Sequence, residues 1–217
     1  MTVDLERKMA QLEVKLLRAQ FNSHFLFNNL NAINYRILQN DPQTASAYLT
    51  LFSRLMRRIL ADSRRDFNRL SDEIETIRLY LQVESMRFNR TIQLITNIEP
   101  GLDPGQIWIP SLILHTYLEN SVWQSMLPRV MDSILILSVQ KQTNMYHIVL
   151  EDNGFAASIP RSAYAREESG MSMAQERLRL LNQCYGVEIQ ITTGEEAGAT
   201  SEAPGTRVDL SFKPFFL

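Results

Sequence analysis

The residues best suited to chemistry lie in one stretch, Gln20-Phe21-Asn22-Ser23-His24-Phe25-Leu26-Phe27-Asn28-Asn29-Leu30-Asn31. On a helix, Gln20, His24, Asn28 and Asn31 share one stripe, because residues three and four apart stack on the same face. Phe21, Phe25 and Leu30 fall to one side as apolar surface. His24 therefore stands on a polar stripe beside a hydrophobic seam. An exposed imidazole, with an ordinary pKa near 6.5, is largely neutral at about pH 7 and a competent nucleophile. The plainer alternative is a structural histidine inside a bundle. The polar stripe weighs against it, since a core histidine would have apolar neighbours above and below.

The element that must carry His24 is helical. No glycine or proline occurs from Val3 to Leu38, and Asp41-Pro42 then marks a turn, since a residue before proline leaves the helical region. A second helix is predicted from about Gln43 to Ala61, with Leu49, Phe52, Leu55, Met56, Ile59 and Leu60 at three- and four-residue steps. Such a hairpin cannot bury both apolar stripes alone, so self-pairing into a four-helix bundle is expected. Ser71 is read as the cap of a third helix, with Asp72 and Glu73 complementing its dipole and the helix running to about Phe88. Thr91–Ile98 alternates like a strand, and Pro110 opens an apolar helix to about Leu127. Ile134–Val139 pairs with Tyr146–Leu150, and Gly170 starts a helix closed by Gly186. Ile189–Thr193 and Arg207–Phe212 are closing strands around a polar loop from Gly194 to Pro204. The fold class expected is α+β: a helical hairpin over residues 1–68, then an α/β sandwich over 69–217.

Composition narrows the function classes. Of 217 residues, 45% are hydrophobic and the net charge is -2, which suits a folded globular chain rather than a disordered one. With 22 basic against 24 acidic residues, no overall field draws in nucleic acid, so no direct nucleic-acid partner is expected. The single cysteine, Cys184, excludes an internal disulfide framework and fits a reducing compartment. The segment from Met1 to Lys15 is charged and lacks the apolar core of a signal peptide.

The stretch around His24 closely resembles the phosphoacceptor motif of LytS-like sensor histidine kinases, roughly Gln-x-x-Pro-His-Phe-Leu-Phe-Asn-x-Leu-Asn. Gln20, His24, Phe25, Leu26, Phe27, Asn28, Leu30 and Asn31 match, and Ser23 replaces the usual proline. The segment from Leu70 to Phe88, with Tyr80-Leu81 and Glu84, resembles the helix that opens the family's nucleotide domain. The resemblance implies that His24 accepts a phosphoryl group from ATP and that the sandwich is of GHKL type. It implies that Asn120 holds Mg2+ through its side-chain oxygen, with Glu119 as a base or orienter beside it. It implies ATP binding by Asn120, Gln124, Asp152, Gly154, Gly170 and Thr206, with Asp152 accepting from the adenine amino group and Thr206 near the ring. The implied partners are a second copy of the chain and the receiver domain of a response regulator, often of LytTR type. The implied location is cytoplasmic, standing alone or as the cytoplasmic part of a membrane-anchored receptor with its own membrane or sensory segment.

Taken alone, Glu119-Asn120 reads as a helix-surface dipeptide and Asp152-Asn153-Gly154 as a plain turn. The pattern also has departures. Gln124 and Ser125 replace His or Lys and Gly; Ala156 replaces a glycine; Glu168-Ser169-Gly170 replaces Gly-x-Gly; Met173 replaces a frequent asparagine. Each lost phosphate contact costs about 1–3 kcal/mol. Two further readings stay open on that account: a degenerate kinase serving as a dimeric scaffold, and an ATPase of the same superfold without a phosphohistidine. Among the remaining features, the arginines at 54, 57, 58, 64, 65 and 69 read as a salt-bridged solvated face or as a docking edge for an acidic receiver domain. Trp108, Trp123 and Phe215-Phe216 read as core or domain-contact residues, His115 as a satisfied structural histidine and Cys184 as packing. His147 lies in a strand and is given no role.

Overall fold

Helix α1 (Ser23–Leu38) and helix α2 (Pro42–Asp62) form the expected hairpin in a computed structural model that describes residues 23–121, 133–153, 167–197 and 204–215. Asp41 caps α2: its side chain accepts a hydrogen bond from the Thr44 amide at 3.2 Å, and Pro42 takes the first helical position, where no amide is needed. The buried stripe of α2 is Ala45, Tyr48, Phe52, Leu55, Ile59 and Asp62, at three- and four-residue spacing. α1 sets Phe25, Asn29 and Ile33 into the same core.

A short strand β1 (Phe67–Arg69) leads directly into helix α3 (Leu70–Phe88), which is followed by strand β2 (Ile92–Ile98). β1 pairs antiparallel with strand β3 (Trp108–Pro110) in a two-stranded sheet. This pairing corrects two expectations. Ser71 does not cap α3: the capping position is Arg69, and the Leu70 amide donates to the Ile107 carbonyl at 2.8 Å, so the sheet edge supplies the acceptor. Pro110 does not open a helix either. It ends an edge strand, where its missing amide breaks no ladder, and helix α4 (Ile113–Ser121) starts after a turn at Ser111-Leu112.

The main sheet contains strands β4 (Ser133–Gln142), β5 (Met145–Asp152), β6 (Ile189–Ala197) and β7 (Pro204–Phe212), with helix α5 (Glu167–Tyr185) between β5 and β6. Its order is β2-β4-β5-β7-β6; β2 and β4 run parallel and the other pairs antiparallel. The segment Gly194 to Ala197, read from its polarity as loop, continues β6 opposite Arg207 to Pro204. An edge strand faces water on its open side, so polarity does not argue against it. α5 already includes Glu167, so Gly170 does not start it. Gly186, at φ 64°, closes it as predicted.

Alternate residues of the sheet, including Leu135, Leu137, Val139, Ile148, Leu150, Val208 and Leu210, are buried. They share one core with Ile77 and Leu81 of α3, Leu114 and Leu118 of α4, and Leu178 and Leu181 of α5. Phe25, Tyr48 and Leu55 of the hairpin belong to the same cluster. The architecture is thus α+β, a helical hairpin followed by an α/β sandwich. Removing the cap in Asp41→Ala should lower stability by about 1 kcal/mol, roughly 2–4 °C in Tm by thermal unfolding.

Candidate functional site

The first amides of a helix need acceptors, and α4 has no side chain of its own that provides them. Glu73 of α3 does so. Its carboxylate accepts from the amides of Leu112 at 3.0 Å, Leu114 at 3.0 Å and His115 at 3.1 Å. Glu73 is fully buried, and burial pushes its carboxyl up to about 7, against the amides that hold it down. The turn it grips is strained: Leu112 has φ 58°, a left-handed conformation that a bulky side chain rarely adopts.

The other side of that turn is held by a cation. Arg177 of α5 is buried, and its guanidinium donates to the Ser111 carbonyl at 2.6 Å and to the Arg65 carbonyl at 3.0 Å. The Ser111 amide in turn donates to the Asp66 carbonyl at 3.0 Å, and the Tyr185 hydroxyl donates to the Asp66 carboxylate at 2.5 Å. Thus α5 grasps both the start of α4 and the segment that joins the hairpin to α3.

The predicted site residues distribute around this frame. Asn120 and Glu119 lie on α4 and Gly170 on α5. Asp152 ends β5 and is buried. β5 and β7 pair as far as Glu151 opposite Arg207, and Asp152 and Thr206 are the next residues on their strands. The strand end is fixed by Asn153, which closes the ladder twice: its amide donates to the Ile134 carbonyl at 3.1 Å, and its side-chain oxygen accepts from the Ile134 amide at 2.8 Å. His24 lies on α1. Gln20, Gln124, Ser125, Gly154 and Ala156 lie outside the described residues, as do Trp123 and Phe216.

An aromatic series joins the helix of His24 to the helix of Asn120. Phe25 stacks on Tyr80 of α3 with ring centroids 5.5 Å apart and planes at 20°. Tyr80 meets His115 of α4 edge-on at 5.0 Å. His115 is buried as expected, but its Nδ1 has no hydrogen-bond partner among the described residues, so it is not satisfied. Burial holds its pKa down at about 4.

Several lesser expectations are settled by contacts. Arg54 pairs with Glu75, Arg58 with Asp72, Arg65 bonds Asn68, and Arg69 covers Trp108 at 4.1 Å, so most of the arginine cluster serves intramolecular contacts. Phe215 packs on Phe67 and Phe212. Cys184 is exposed rather than packed, because it falls on the outer face of the last turn of α5. His147 stands 3.9 Å from Asp209.

The sequence reading missed Glu73 as an anchor, having taken it for a partner of its own helix's dipole. Nothing in a single sequence marks the amides of residues 112–115 as its targets. Replacing it tests the frame. Glu73→Gln keeps the size and loses one acceptor, so it should cost about 1–3 kcal/mol in chemical denaturation. The pH dependence should change as well. Glu73 has a folded pKa above its ordinary 4.5, so its stabilisation is complete below 4.5 and is lost as pH rises through about 7. His115 has a folded pKa below its ordinary 6.5, so its contribution is complete above 6.5 and is lost as pH falls through about 4. The two trends oppose each other between these limits. Glu73→Gln removes one of them, and its stability should fall more steeply with acid below about pH 6.5 than that of the wild type.

The profile of the Histidine kinase family matches residues 12–92, which include His24 and the whole of α3. Sensor histidine kinase BtsS of Escherichia coli (strain K12) is 30% identical over 182 residues, covering 83% of this chain and 31% of that protein. Sensor protein kinase HptS of Staphylococcus aureus (strain USA300) is 26% identical over 162 residues, covering 75% of this chain and 30% of that protein. The chain thus spans about a third of the length of these relatives. The histidine kinase domain from the Erythrobacter litoralis EL346 blue-light activated histidine kinase superposes with a TM-score of 0.42 at 13% identity, over 95% of this chain and 94% of that one. By the family profile over residues 12–92 and by its likeness to BtsS over 83% of its length, this chain is similar to the sensor histidine kinases of LytS type.

Proposed function

We propose that the chain is the kinase core of a two-component system, divided into a phosphotransfer hairpin, residues 1–68, and an ATP-binding domain, residues 69–217. The observation that supports this reading is His24 on α1 together with Asp152 and Thr206 as the residues that follow the last pair of β5 and β7. A buried carboxylate at a strand end suits the exocyclic amino group of adenine, which it can accept from without a counter-charge. No cluster of three or more His, Cys, Asp and Glu that could hold a metal occurs among the described residues. Magnesium does not need one, since it takes one or two protein oxygens together with those of the substrate phosphates. Asn120 is the residue assigned to it, with Gln124, Gly154 and Gly170 lining the rest of the nucleotide. Bound magnesium supplies neutralisation of the phosphate charge.

In the reaction proposed, an imidazole nitrogen of His24 forms a bond to the γ-phosphorus of ATP. The bond from that phosphorus to the β–γ bridging oxygen breaks, and ADP leaves. Glu119 orients the imidazole or takes its proton. The phosphoryl group then passes to an aspartate on a response-regulator receiver domain. The hairpin works as a dimer: Phe27, Leu30 and Leu38 of α1 remain exposed, and a second copy would cover them. No helix among the described residues is long and apolar enough to cross a membrane.

A second reading, a dimeric scaffold with weak or no turnover, is favoured by one feature of the sequence. Glu168-Ser169-Gly170 stands where the family has Gly-x-Gly, which removes a phosphate-loop glycine and adds a negative charge. Incubation with labelled ATP and magnesium should give an acid-labile label that His24→Gln abolishes. Label that survives this substitution, or no label at all, rejects the kinase reading, and calorimetric titration with ATP then separates a nucleotide-binding scaffold from one that binds none.

A further inference from the structure

Among the described residues, the buried stripe of α1 contains one polar residue, Asn29, and it is fully buried. Asn29 lies between Phe25 and Ile33, each one helical turn away. Both ends of its amide are used. The nitrogen donates to the Phe25 carbonyl at 2.8 Å, and the oxygen accepts from the Tyr48 hydroxyl of α2 at 2.6 Å. Tyr48 is also fully buried. Apolar surfaces such as Phe25 against Phe52, with ring centroids 6.1 Å apart, tolerate small slides and rotations. A hydrogen bond of this length does not, because a shift strands a buried amide and a buried hydroxyl together. A single polar contact between otherwise apolar helices is the device that fixes register in coiled coils.

We infer that Asn29 and Tyr48 are positioning residues for phosphoryl transfer: their hydrogen bond sets the axial register and rotation of α1 on α2, and with them the placement of His24. The inference rests on the kinase reading of His24. The lock acts next to that residue, since the carbonyl held by Asn29 belongs to Phe25. Asn29 stands at one of the positions that the phosphoacceptor motif leaves open. In-line transfer is sensitive to misplacement, with about a hundredfold loss for a displacement of roughly 1 Å.

Tyr48→Phe and Asn29→Ala, singly and together in the full chain, test the assignment. The expected result is an autophosphorylation kcat lowered by about tenfold with KM for ATP within about twofold. Labelling of His24 by phosphoramidate, a small donor that needs no domain placement, should stay within about twofold, with His24→Gln as the blank. The double variant should be no slower than the slower single one, because both remove the same bond. An unchanged kcat, or a phosphoramidate rate that falls in step with it, overturns the inference. If the wild type takes no label from ATP, the kinase reading has failed and amide exchange decides the lock separately. Residues 25–33 should exchange faster in Tyr48→Phe than in the wild type, and equal exchange overturns the inference.

Discussion

A helix that begins in a protein core without a capping side chain must find an acceptor elsewhere, or leave its first amides bare at a cost of about 1–3 kcal/mol each. α4 finds it on α3. Three amides converge on Glu73, and the left-handed turn at Leu112 exists because the carboxylate and Arg177 hold it from opposite sides. The position of α4 follows, and with it that of the turn bearing Glu119 and Asn120. The same arrangement explains the small sheet of β1 and β3. It fixes the chain on either side of α3, so that Glu73 and the amides it serves arrive at the same place.

Arg177 extends this frame across the molecule. One guanidinium joins α5, the turn before α4 and the segment leaving the hairpin. On the hairpin side, Arg58 reaches the Asp72 carboxylate at 2.8 Å and the Thr76 hydroxyl at 2.8 Å, so α2 and α3 are joined by charge as well as by packing. The core continues through Phe25, Tyr80 and His115. A rotation of the hairpin relative to the sandwich must therefore break specific polar contacts before it can repack apolar ones.

Local signals made much of this legible in the sequence. The turn at Asp41-Pro42, the period of α2, the pairing of β4 with β5 and the glycine that ends α5 depend on residues near one another in the chain, and all are found. The errors arise where a distant partner overrides a local rule. Ser71 has the chemistry of a cap, but the Ile107 carbonyl reaches the helix first. Pro110 has the chemistry of a helix start, but Phe67 pairs with it as a strand. Gly194 to Ala197 look like loop because an edge strand and a loop are equally polar. Sequence could nominate Asp152 and Thr206 only through a family pattern, and the antiparallel register of β5 with β7 ends one residue short of both. Asn29 is the converse case: it stands in the motif at an open position, and only the packing of α1 on α2 shows that it is buried and bonded to Tyr48.

The exposure of Cys184 has a practical corollary. It is the sole sulfhydryl of the 217 residues, and it precedes Tyr185, whose hydroxyl holds Asp66 in the segment leaving the hairpin. A maleimide fluorophore or nitroxide would attach at one defined point without mutagenesis. Its signal would report directly on whether the joint between hairpin and sandwich is fastened or open.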